Sequence, residues 1–376
     1  MQHWKLAGWG LLTVSLALPV LAGHANEPPT IRVGMASALS GPAAGLGWQL
    51  RAGATAYFDK INAAGGVHGK RLELVSVDDG YDPERSVSAT RELIDKYQVF
   101  TLFGYVGTPT SAAVVPIAAK EGVPYLFPFT GAEFLRNPLK PVVYNLRASY
   151  YDETEALVAR LLRQNERKIA LFIQDDEFGE AGKAGVVRAL QRRQMAPAVE
   201  ARFTRNTIDV DEGLTKIAKA KPDAVIFIGT YRPLAALIKK ARAAGMPTRF
   251  ATVSFIGTSE FIKHAGAAGE GVLVSQVMPA PDDPSEPLVR QYHADVAAAA
   301  RNYGSLEGYA DAVVLVEALK RCGPNCTRPG LMTTLDQLDM HLGGVPVRFT
   351  ARNHQGMDRV YLTEIRAGRA VQLPRD

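Results

Sequence analysis

Cysteine is nearly missing from this chain, with two in 376 residues. That excludes a disulfide-built scaffold, and two thiols with seven scattered histidines do not make a zinc site. Charge of one sign is also scarce. The 43 Lys+Arg and 38 Asp+Glu are interleaved and leave a net charge of +5, without the basic stripe that nucleic acid requires. Beyond residue 22 no apolar run is long enough to cross a bilayer. Enzyme signatures are incomplete. Gly45-Leu46-Gly47 begins a dinucleotide fingerprint, but Leu50 stands at the third glycine position. Ala64 stands where a P-loop ahead of Gly69-Lys70 needs its first glycine, and G-x-S-x-G and H-E-x-x-H do not occur. The expectation is a protein without catalysis, cofactor, metal or nucleic-acid partner.

What is there is ordinary globular composition, 47% hydrophobic and 22% charged, at a length that suits about two domains. The chain opens with Lys5 and no acid, runs apolar from Leu6 to Ala22, and then reaches the small residues Gly23 and Ala25. This is the three-part pattern of a secretory leader. Residues 1–25 are expected to be removed by a cut after Ala25, or after Ala22 as second choice, giving a periplasmic protein. Cys322 and Cys326 flank Gly-Pro-Asn, a spacing that makes a tight turn and suits a structural disulfide in an oxidising compartment.

From residue 31 strand-like segments alternate with amphipathic helices. Strands are predicted at 31–37, 72–79, 99–105 and 142–146, with helices at 46–64, 83–96 and 109–121. A second series has strands at 168–174, 198–203, 223–229, 249–254 and 271–277, with helices at 151–165, 178–194, 209–220, 232–244 and 258–265. Such alternation implies βαβ units and parallel sheets, and two series imply two α/β lobes. Residues 284–338 read as mainly helical, and VPVRFT and RVYLTEI within 345–366 as paired strands.

In parallel α/β sheets ligands lie beyond the carboxyl ends of strands. After strand 99–105, Thr108 is placed to cap the next helix, Pro109 suits its first position, and Thr110 and Ser111 add hydroxyls. The next strand end carries Phe129, Thr130 and Gly131. In the second series the strand ends carry Phe178, Tyr231, and Ser254 with Phe255. Together these ends describe a cleft lined from both sides.

Several phrases, in order, carry a family resemblance: ALSGPAAGLG, INAAGGVHGKRLELVSVDD, YDPERSVSATREL, EGVPYLFPFTGAEF, QDDEFGEAGKAG, PDAVIFIGTY, KKARAAGMPTRF, GEGVLVS and LEGYADAVVLVEAL. The chain resembles the type I periplasmic solute-binding proteins of ABC transporters, in the branched-chain amino-acid (leucine/isoleucine/valine) binding family. The resemblance implies two Rossmann-like lobes with parallel sheets joined by a three-segment hinge. We expect the first lobe at 30–146 plus 280–342 and the second at 147–279 plus 343–370. It also implies a monomer that delivers a small ligand to an inner-membrane ABC permease. A sensing subunit for a membrane kinase or chemoreceptor is the alternative.

Carried over residue by residue, the resemblance implies ligand contacts at Leu46, Thr108, Thr110, Phe129, Thr130, Gly131, Phe178, Tyr231 and Ser254. Ser254 stands where the family has the acid that receives an α-ammonium, and Phe178 where it has a tyrosine. Tyr81 and Gly107 occupy the positions of its first-lobe disulfide. The expected ligand is therefore an amino acid, an amide, or a small carboxylate or aromatic compound. An amino acid would need another acid in the cleft, for which Glu133, Asp176, Glu177 and Glu307 are candidates.

Overall fold

The computed structural model describes residues 1–3 and 29–374. Most of the expected leader, with its expected cleavage site, lies outside the described residues. The first series comprises β1 (Thr30–Ser37), α1 (Ala44–Ala63), β2 (Arg71–Asp78), α2 (Pro83–Arg91), β3 (Thr101–Phe103), α3 (Thr108–Lys120), β4 (Tyr125–Leu126) and β5 (Val143–Tyr144). These strands form a parallel sheet in the order β2-β1-β3-β4-β5.

The second series comprises α4 (Tyr150–Arg163), β6 (Ile169–Gln174), α5 (Glu177–Gln191), β7 (Glu200–Phe203), α6 (Asp211–Ala220), β8 (Ala224–Ile228), α7 (Tyr231–Ala243), β9 (Arg249–Thr252), α8 (Thr258–Ala265) and β10 (Leu273–Gln276). Its parallel strands run β7-β6-β8-β9-β10, the same winding as in the first sheet. The central strands β6 and β8 read IALFIQ and AVIFI and are buried throughout, because helices cover both faces.

The chain then continues through α9 (Pro287–Asp295), α10 (Tyr303–Cys322), α11 (Arg328–Leu335), β11 (Asp339–Leu342), β12 (Val345–Arg348), β13 (Tyr361–Arg366) and β14 (Arg369–Gln372). Helix α10 returns to the first sheet's layer and lies on α1. The two helices approach so closely that a Cβ on Gly53 or Gly308 would strike the other helix's backbone. The last two strands rejoin the second sheet, β13 antiparallel to β10 and β14 antiparallel to β13. The chain thus passes between the sheets three times: after β5, after β10 and after β12.

The C-terminal strands depart from the expected pairing of VPVRFT with RVYLTEI. β12 pairs instead with β11 across Gly343-Gly344, both at positive φ. Phe349, just beyond β12, packs against Phe127 and Tyr144 of the first series. Helix 83–96 is also not uniform: its last turn, Glu92–Lys96, is π-type. Cys322 and Cys326 form a disulfide, as their spacing suggests. Among the described residues no helix is long and apolar enough to cross a membrane.

Candidate functional site

A doubly wound sheet opens a crevice where its strand order reverses, here between β1 and β3 and between β6 and β8. The segments after these four strands hold Leu46, Thr108, Phe178 and Tyr231 respectively. Several contacts cross from one series to the other. Gly45 N–H donates to the Tyr231 hydroxyl (3.3 Å), Gln49 Nε2 to Ser259 Oγ (3.0 Å), and Gln174 Nε2 to the Tyr81 hydroxyl (3.2 Å). Leu46 packs where a side chain on Gly257 would sit.

The middle of the crevice is aromatic. Phe255 lies 4.6 Å from Phe178, 5.5 Å from Phe129 and 5.9 Å from Tyr81, between ring centroids. Tyr150 adds a ring 5.5 Å from Phe178. Beside them the Thr108 and Thr130 hydroxyls pair at 2.7 Å, and Thr130 lies 3.3 Å from the Tyr150 hydroxyl. A cavity of about 10 Å³, room for about one water, is walled by residues that include Phe129, Ser254, Gln276 and Glu307.

The polar centre is Arg147, on the segment between β5 and α4, with 1% of its side chain exposed. Its guanidinium lies 4.6 Å over the Phe129 ring and donates through Nη2 to Ser254 Oγ. Nε lies 3.3 Å from Glu307 Oε1 without hydrogen-bond geometry, and Nη1 has no acceptor among the described residues. A buried charged donor left unmet costs about 1–3 kcal/mol or more. Glu153 lies 4.0 Å from Arg147 and accepts from Ser254 N (2.8 Å), Ser254 Oγ (3.1 Å) and Ser275 Oγ (2.7 Å). Burial pushes Glu307 up to about 7 against the pull of Arg147, with Glu153 adding to the rise. Burial first and Glu307 second hold Asp311 well above the carboxylate range.

Thr108, Phe129, Thr130, Phe178 and Ser254 therefore come together, and Leu46 and Tyr231 meet the opposite series at the crevice rim. The Thr110 hydroxyl turns back to Val106 O (2.6 Å) and Gly107 O (3.0 Å). Gly131 underlies Tyr150, where a Cβ would collide with the ring. Thr108 does not cap α3. Gly107 does, at φ +113, a conformation suited to glycine, so Thr108 is the first helical residue and its hydroxyl is free to meet Thr130.

Of the acids considered, Glu307 alone joins Arg147. Asp176 caps α5 by accepting from Phe178 N, and Glu177 is exposed. Arg147, Glu153 and Tyr150 were not foreseen, and Tyr81 was read only as half of a missing disulfide. Tyr81 and Gly107 are in fact neighbours, since a Cβ on Gly107 would strike the Tyr81 ring. Tyr81 is itself held at φ +60 in a turn fixed by Asp79, whose carboxylate accepts from Tyr81 N (2.9 Å) and Ser86 Oγ (2.6 Å).

Comparison with known proteins agrees with this geometry. The chain is 27% identical over 267 residues to the leucine-, isoleucine-, valine-, threonine- and alanine-binding protein of Pseudomonas aeruginosa, spanning 70% of this chain and 71% of that one. A possible leucine/isoleucine/valine-binding protein from Rhodopirellula baltica superposes with a TM-score of 0.87 at 34% identity, over 92% of this chain and 97% of that one. The fold is also shared, at 22% identity and a TM-score of 0.81, with an R. palustris solute-binding protein in complex with benzoate, over 92% of this chain and 95% of that one. The chain is accordingly a binding protein and not an enzyme. A family model described as periplasmic binding protein matches residues 30–370, and the chain belongs to that family.

Proposed function

We propose that this protein is a periplasmic receptor that captures one small solute between its lobes and delivers it to an inner-membrane ABC permease. The observation that carries the reading is the facing of two equally wound sheets. Their switch-point ends supply aromatic and polar groups to one crevice, with hydrogen bonds from each lobe to the other. The solute is an amino acid, an amide, or a small carboxylate or aromatic compound, held among Thr108, Phe129, Thr130, Phe178 and Ser254. The receptor acts as a monomer after removal of residues 1–25. The lobes are 30–146 plus 280–342 and 147–279 plus 343–370, with the stretch through Phe349 lying against the first lobe.

The test is native mass spectrometry of the purified protein for a co-purified solute, followed by scattering with and without that solute. A bound small molecule that lowers the radius of gyration on re-addition is the expected result. A solute that binds without any change in scattering would count against capture by closure.

A further inference from the structure

We propose that Arg147 is the anion anchor of the crevice and selects an aromatic monocarboxylate, with no requirement for an α-ammonium. This rests on the reading of the crevice as the solute site and narrows the solute class. Arg147 is fully buried, yet its Nη1 has no acceptor among the described residues, so it is a charged donor that the side chains around it do not satisfy. Phe129, Ser254 and Glu307 each touch the guanidinium, and all three wall the cavity. The guanidinium lies one layer behind this wall, and a planar carboxylate that reaches through it matches the fork.

The body of the solute is read from the rings. Phe255 reaches from the second lobe to within 5.9 Å of both Phe129 and Tyr81 on the first. Phe178 adds a further ring 4.6 Å from Phe255. Opening the crevice separates these faces, and a flat aromatic body fits between them with the geometry aromatic pairs prefer.

The surroundings disfavour an amine. Glu153 already accepts from three donors. Glu307 faces Arg147 itself, and burial favours the protonated form of both Glu307 and Asp311. An ammonium would lie beside a guanidinium with no free carboxylate to receive it. The raised carboxyls of Glu307 and Asp311 also lessen the repulsion that an arriving carboxylate would meet.

The test is calorimetry on the mature protein at pH 6.5 with benzoate, phenylacetate, 4-hydroxybenzoate, benzamide and L-phenylalanine. At least one of the three carboxylates is expected to bind about 10- to 100-fold more tightly than benzamide and L-phenylalanine. Arg147→Lys keeps a cation beside Glu307 and should fold while losing much of that preference. Arg147→Met should abolish the preference. Equal binding of benzoate and benzamide, tighter binding of L-phenylalanine than of every carboxylate, or an unchanged preference in a folded Arg147→Lys protein would each overturn the assignment. Binding of neutral or zwitterionic solutes alone would overturn the anchor and leave the receptor reading standing. Absence of any stabilising solute across a panel that adds amino acids and amides would overturn both.

Discussion

Replacing Asp79 by Asn should change the pH dependence of stability in a calculable way. Asp79 is fully buried at the end of the first lobe's outer strand, where it shapes the turn that carries Tyr81 into the crevice. Burial pushes its carboxyl up to about 6 despite hydrogen bonds from Ser86 and Tyr81, and Asp78 adds to the rise. In the unfolded chain an aspartate titrates near 3.9, so folding raises the value by about 2 units. Between about pH 4 and pH 6 the folded state binds the extra proton. Stability therefore falls as pH rises through that window, by about 3 kcal/mol in total. Asparagine has no proton to lose, and its amide can donate to Ser86 while its oxygen accepts from Tyr81. The charge-strengthened part of the two hydrogen bonds is already contained in that net rise, so a variant equivalent to the protonated acid should gain about 2–3 kcal/mol at pH 8 and little or nothing at pH 4. Asp78 works in the opposite sense. It is drawn down to about 2 despite partial burial, by Ser40, the Leu39 and Gly80 amides and Arg85. Its contribution is lost below about pH 4, outside the Asp79 window. Urea midpoints of parent and variant every half unit from pH 3.5 to 8 would measure the difference curve. A flat difference between pH 4 and 7, or an Asn variant less stable than the parent at pH 8, would refute the reasoning.

Three further outcomes are expected. Tyr231→Phe removes the acceptor for Gly45 N–H and should weaken affinity for the captured solute about two- to fivefold by calorimetry, with the melting temperature of the solute-free protein nearly unchanged. Ser254→Glu restores the family's acid in sequence but sets it against Glu153, and should lower the melting temperature without creating leucine binding; tighter binding of L-leucine than by the parent would contradict this. N-terminal sequencing of periplasmic protein should begin at Asn26, and intact Met1 in the membrane fraction would show that the leader is retained.

The strand ends were legible because parallel strands buried on both faces are continuous apolar runs, as in IALFI and AVIFI, and helices must follow them. That rule alone located Thr108, Phe129, Phe178, Tyr231 and Ser254. The hairpin of β11 and β12 was missed although Gly343-Gly344 is a hairpin turn signal, because Asp339–Leu342 is short and only its last residue is buried. Arg147 was missed for a different reason. It follows a strand of only two residues, and what makes it notable is a set of partners at Glu153, Ser254 and Glu307. Only the folded chain brings these together, from positions up to 160 residues apart. The capping of α3 by Gly107 rather than Thr108 turned on a backbone angle that residue type alone leaves open.

Of the three tryptophans in the chain, Trp4 and Trp9 lie in the proposed leader, and the remaining one is Trp48. Its ring is half exposed on α1, under the Arg51 guanidinium at 5.2 Å, with Nε1 bonded to Leu39 O. The next residue, Gln49, reaches across to Ser259 in the opposite lobe. A protein without residues 1–25 therefore carries one indole, next in sequence to the residue that bridges the lobes. Its emission wavelength and quenching by iodide give a label-free optical readout of lobe separation, free of background from any second indole.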